Sequence, residues 1–187
     1  MKIKTYSLLT LAGWLLACGM FDPIRGQESG NAALSTTGGF YGEKTGFIIS
    51  KIDAAAAEEF RKAWEASGNG FTRLEALVLV YKADDGSISA RWQGKTNERD
   101  RVTFGWTADI LAVVHTHPND DDPKPSGADL RLADRFRVPV FTITQGGMFV
   151  YDPETRKISM VQNRLDWRKS SKWHHEGQAV IAPKALR

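Results

Sequence analysis

The stretch Ile110–Asp129, ILAVVHTHPNDDDPKPSGAD, decides how the chain is read. Its first five residues are continuously apolar and β-branched at three positions, which marks a buried strand. That strand runs directly into His115-Thr116-His117-Pro118. In an extended chain, side chains two apart point to the same side. His115 and His117 therefore project together from the strand's carboxyl end, where open α/β sheets tend to place ligands. Pro118 has no N–H to give to a ladder and turns the chain outward. An acidic, proline-bearing loop follows. Ser126 then caps a helix predicted to reach about Phe136, with Asp129 on its first turn. Two imidazoles and one carboxylate can thus converge on one point.

That ligand set suits zinc, which accepts neutral histidine and carboxylate and in catalytic sites leaves a fourth position to water. Bound zinc lowers the pKa of water towards about 7 and polarises a carbonyl oxygen. A nearby glutamate would complete such a machine by taking the water's proton and passing it to a leaving amine.

Working outward, Asp53 reads as the N-cap of a helix reaching about Ala66, with Gly68 as its stop. Leu74–Tyr81 and Ile88–Trp92 read as a hairpin around Asp84-Asp85-Gly86. Gln93–Asp100 is polar and loop-like, and Arg101–Phe104 is a further candidate strand. After the second helix, Val138–Thr144, Met148–Tyr151 and Lys157–Val161 read as a meander with turns at Gln145-Gly146-Gly147 and Asp152-Pro153. The order predicts an α/β protein with a mixed β-sheet flanked by helices.

Met1–Ala17 combines Lys2 and Lys4 with an apolar run too short to span a bilayer comfortably, as in an export signal. Leu15-Leu16-Ala17-Cys18 resembles a bacterial lipoprotein box, so Cys18 is either the lipidated first residue of the mature chain or simply follows a cleavage site. As the one cysteine in 187 residues, it excludes an internal disulfide framework and a multi-cysteine zinc site. Residues 18–46, rich in Gly, Ser and Thr, read as a flexible tether, with an extended piece near Phe47–Ile49. The folded domain is assigned to 47–163 and a basic C-terminal tail to 164–187. Without Lys2 and Lys4, 23 basic residues face 22 acidic ones, a balance that gives nucleic-acid binding no support. Trp167 and Trp173, among basic residues of the tail, are expected to pack rather than to stack on bases.

The segment resembles the JAMM metallopeptidases of the JAB/MPN type, whose signature is an upstream glutamate, H-x-H-P, a short loop and S-x-x-D. His115, His117, Pro118, Ser126 and Asp129 match it, with an eight-residue loop one longer than in many members. The likeness covers roughly Ile52–Val161 and is closest to small bacterial JAB-like domains of secreted and toxin-like proteins. It implies a cytidine deaminase-like fold and a zinc-dependent hydrolase of peptide or isopeptide bonds. The deaminases themselves need a glutamate two residues after the histidine and usually two cysteines. By resemblance, His115, His117 and Asp129 hold one Zn²⁺, and Ser126 donates to the attacking water or the developing oxyanion. Glu75, at the start of the strand before the hairpin turn, stands where the family's catalytic glutamate lies. Its apolar neighbours Leu74, Ala76 and Leu77 make it unusual as a surface group. Glu98 and Glu43 are the alternatives.

Simpler readings stand beside these. Ser126 and Asp129 also form a helix-capping pattern. The acidic loop lacks the alternating ligands of a calcium site, and His174-His175-Glu176 lacks the H-E-x-x-H spacing. A non-catalytic peptide-binding or scaffold domain of the same fold and a toxin-like effector remain open beside the peptidase. The expected partner is a peptide or protein substrate, with membrane contact only through an N-terminal lipid anchor and no nucleic acid. The expected location is the bacterial cell envelope or outside it. Mass spectrometry of the mature protein should find a chain lacking Met1–Ala17; an intact Met1 would refute export processing.

Overall fold

The computed structural model describes residues 41–99 and 103–173. The export segment, Cys18, most of the tether, and the tail from His174 onward lie outside the described residues. Within them the chain forms α1 (Glu43–Lys51), α2 (Ala54–Ala66), β1 (Leu74–Lys82), β2 (Ile88–Arg99), β3 (Ile110–Thr116), α3 (Gly127–Phe136), β4 (Val140–Ile143), β5 (Gly147–Asp152) and β6 (Lys157–Asn163). Two short 3₁₀ turns, Arg164–Arg168 and Ser170–Lys172, follow. The six strands form one mixed sheet in the order β2-β1-β3-β4-β5-β6. Only β3 and β4 pair in parallel, and α3 makes that crossover.

Period-two alternation sorts the sheet's side chains into two cores. Ala76, Val78 and Val80 of β1, with Ala112, Val114, Phe141, Ile143, Met148 and Val150, meet α1 and α2. Leu77, Leu79, Val113, Val140 and Tyr151 point the other way, towards Ala133 of α3. The central strands are mostly apolar because both of their faces are covered, with their buried polar residues gathered towards the site end. Asp53 caps α2 by accepting from the Ala56 N–H at 2.8 Å. Ser126 and Asp129 form a reciprocal capping box at the start of α3. The helix ends at Arg137, which takes the left-handed conformation (φ 56°) usually left to glycine.

Three local expectations are corrected. Residues 43–51 are helical, not tether followed by an extended piece. Thr45, Ile48 and Ile52 fall at helical spacing and are buried, and that tertiary contact overrides Gly46 in the helix interior. A carboxylate oxygen of buried Asp152 accepts the Gly42 N–H and ties down the start of α1. The stretch after Trp92 is no loop: β2 continues to Arg99. As an edge strand it carries polar residues that hide its period, and Gly94 (φ 104°) lies beside a register shift against Leu77 and Val78. Finally, Thr103 and Phe104 lie outside any strand, while Arg101 and Val102 fall outside the described residues.

The chain after β6 returns to the core. Trp167 is fully buried, packs edge-on against Trp64 at 5.7 Å, and donates its indole N–H to the Thr144 carbonyl at 3.1 Å. Trp173 meets Phe60 edge-on at 6.3 Å and donates to the Trp167 carbonyl at 2.8 Å. Both aromatics therefore pack, as expected. Trp167→Ala should cost about 3–5 kcal/mol of unfolding free energy; a denaturant midpoint unchanged from wild type would show that the post-β6 segment is dispensable.

Candidate metal centre

The site lies at the carboxyl end of β3. Antiparallel pairing places Leu77 of β1 opposite His115, and parallel pairing places Thr142 of β4 beside it. Glu75 and Leu77 share a face, as do His115 and His117, so β1 delivers a carboxylate beside the histidine pair. The Thr116 hydroxyl points to the opposite face and accepts the Ala76 N–H at 2.9 Å. This bond holds the chain immediately after Glu75. On the other side, the capping box of α3 brings Asp129 over the same spot.

The distances are short. Glu75 Oε2 lies 3.3 Å from His115 Nδ1, and Asp129 Oδ1 lies 3.1 Å from His115 Nε2. Asp129 Oδ2 is 3.9 Å from His117 Nε2, and the two imidazole rings are 4.8 Å apart. His115 is 5 % exposed, His117 7 % and Glu75 9 %. The Asp129 carboxylate is fixed by Ser126, whose backbone N–H and hydroxyl both donate to Oδ2 at 2.7 Å. His117 Nδ1 lies 2.8 Å from the Asp122 carbonyl, to which it donates. That bond leaves Nε2 as the ring's free lone pair, facing Asp129.

His115 decides whether an ion fits. Both of its ring nitrogens are buried without an aligned hydrogen bond, although carboxylate oxygens stand within 3.3 Å of each. Those oxygens are near enough for charge attraction but off the N–H directions. Two donors bound at about 2.0–2.1 Å to one tetrahedral ion stand roughly 3.3 Å apart, close to the His115–Asp129 separation. Glu75, His115 and His117 each bring a ligand atom within 4.8 Å of the others. The group can therefore bind one metal ion. Asp129 contacts both imidazoles and is a fourth available donor.

Of the sequence-derived site residues, the structure brings Glu75, His115, His117, Ser126 and Asp129 together. Glu43 lies in the first turn of α1, away from this cluster, and the Glu98 side chain is outside the described residues. Ser126 was expected to serve water or an oxyanion; here its hydroxyl is engaged by Asp129. Sequence reasoning missed the Asp122 carbonyl and Thr142, because a main-chain acceptor and a cross-strand register leave no residue-type signature. The chain matches no protein-family model, and a search of curated proteins finds no match.

Electrostatics follow from this packing. Burial opposes a charge on His115 most strongly, yet Asp129 and Glu75 together raise its pKa from 6.5 to about 10. Burial, and then the charge on His115, push His117 below its ordinary value. Burial works against ionisation of Asp129 too, but His115 and the two Ser126 donors hold its carboxyl well below the usual range. A raised histidine pKa contributes stability that is complete below 6.5 and is lost as pH climbs through about 10. In the metal-free protein at neutral pH, His115 is thus charged and His117 neutral. Metal uptake at about pH 7.5 should release about one proton, taken from His115. Calorimetry with zinc as the probe, in two buffers of different ionisation enthalpy, reads this directly; zero release would overturn the charge assignment.

Proposed function

We propose that the protein is a zinc-dependent hydrolase of peptide or isopeptide bonds on a JAB/MPN-type fold, exported to the bacterial envelope or beyond it. One observation carries the reading: a buried imidazole, His115, whose two ring nitrogens lack aligned partners, stands between two carboxylates with His117 alongside. Histidine and carboxylate donors together favour zinc over the oxygen-preferring calcium and magnesium. When bound, zinc supplies Lewis acidity, lowering the pKa of water and polarising a carbonyl.

The chain's own groups divide the remaining work. His115 Nε2, His117 Nε2 and an Asp129 oxygen are the proposed ligands, while Ser126 and the Asp122 carbonyl hold Asp129 and His117 in place. Glu75 is the proposed general base. Its carboxylate is largely shielded from water and stands 3.3 Å from His115 Nδ1; as the base it would take a proton at Oε1 or Oε2 and hand it to a leaving amine. The substrate is a polypeptide amide, presented where β3, the acidic loop and the start of α3 meet.

A second reading draws on the contact between Glu75 and His115 Nδ1. A carboxylate behind a ligating histidine orients the ring and raises its basicity. In a non-catalytic metal-binding domain that would be its whole purpose. The two readings part on Glu75→Gln. As a general base, its loss should lower amide hydrolysis by about 100-fold or more while zinc stays stoichiometric. As an orienting partner alone, it should weaken zinc binding first. His117→Ala should lose both zinc and activity. Elemental analysis together with turnover of a peptide library separates the cases, and equal turnover by wild type and Glu75→Gln would remove Glu75 as base.

A further inference from the structure

We propose that Thr142 is a positioning residue for the proposed metal ligand His117, acting through the loop between β3 and α3. Thr142 is fully buried on β4, and its register with His115 puts its side chain on the face that carries the site. Its hydroxyl donates to the Pro123 carbonyl at 2.6 Å. The carbonyl one residue earlier, on Asp122, is the acceptor for His117 Nδ1 at 2.8 Å. Two successive peptide carbonyls are thus held, one by the rigid sheet and one by the imidazole.

The loop needs that hold. Pro118, Pro123 and Pro125 have no N–H, so this segment has few donors with which to brace itself. Its near half is tied down by the Asn119 N–H on the Gly70 carbonyl at 2.8 Å, by the Asn119 amide on the Asn69 carbonyl at 3.0 Å, and by Arg73 beside Asp120. Besides the His117 bond itself, its far half has the local Lys124 N–H to Asp122 Oδ1 bond at 3.0 Å and the Thr142 bond. Among the described bonds of that half, the Thr142 bond is the one that reaches the sheet without passing through the His117 imidazole. Without that anchor the Asp122 carbonyl can drift, and His117 loses the partner that keeps its proton on Nδ1 and its lone pair on Nε2.

The test compares Thr142→Val, which keeps the shape and removes the donor, with Thr142→Ser, which keeps the donor. Two properties are read on the full chain: nitrogen NMR of the His117 ring in metal-free protein, and zinc affinity by chelator competition. The valine variant should show mixed ring tautomers and a zinc affinity about 10–100-fold weaker. The serine variant should match wild type in both. A merely structural threonine would not separate the two variants in ring tautomer. A single Nδ1–H tautomer in the valine variant, a wild-type zinc affinity there, or a serine variant that fails alongside it overturns the proposal. Should the valine variant not fold, Thr142→Ala carries the same comparison. The affinity arm rests on the metal-site reading; were wild type to bind no zinc, that reading would fall while the tautomer arm still decides the role of Thr142.

Discussion

Everything at the end of β3 follows from burying an imidazole between two carboxylates. Glu75 and Asp129 sit within 3.3 Å of opposite nitrogens of His115, in a region nearly closed to water. Two carboxylates largely shielded from water with no cation between them would be costly to fold around. The metal-free chain answers by keeping a proton on His115 far above its ordinary range. A divalent ion held by this group would answer the same demand through direct bonds rather than misaligned contacts. In that reading the proton on His115 and the ion would compete for one ring nitrogen.

The scaffold makes such a costly arrangement sustainable. β3 is central, paired with β1 on one side and β4 on the other, so the backbone beneath the histidines has little freedom. The parallel β3–β4 pairing continues past Thr116 through the His117 N–H to the Ile143 carbonyl at 3.1 Å, carrying sheet order up to the second histidine. Asp129 arrives from the first turn of α3, where unpaired backbone N–H groups and the helix dipole favour an anion. Each element gives the site its most rigid end.

What could be read in the chain was what is local. Ile110–Val114 is apolar because the strand is covered on both faces, and Ser126 and Asp129 lie three residues apart because a capping box needs that spacing. Both features are written in contiguous residues. Helix α1 was hidden because Gly46 and the polar ends of a nine-residue segment mask its few apolar positions, whose burial depends on contacts distant in the chain. The length of β2 was hidden because an edge strand need not alternate. The contact between Glu75 and His115 depends on the β1–β3 register. The type and neighbours of Glu75 pointed to it, but the distance could come only from the fold.

The capping and metal readings of Ser126 and Asp129 do not compete. A cap requires one carboxylate oxygen to accept from the backbone, and here Oδ2 alone takes both Ser126 donors. Oδ1 is left directed at His115 Nε2. A side chain pinned through one oxygen presents the other with little rotational freedom, so were Asp129 to ligate an ion, little further entropy would be lost in ordering it. A surface capping box would leave that second oxygen in water. Here it stands against an imidazole that is 5 % exposed, and that placement is what the needs of a helix start do not explain.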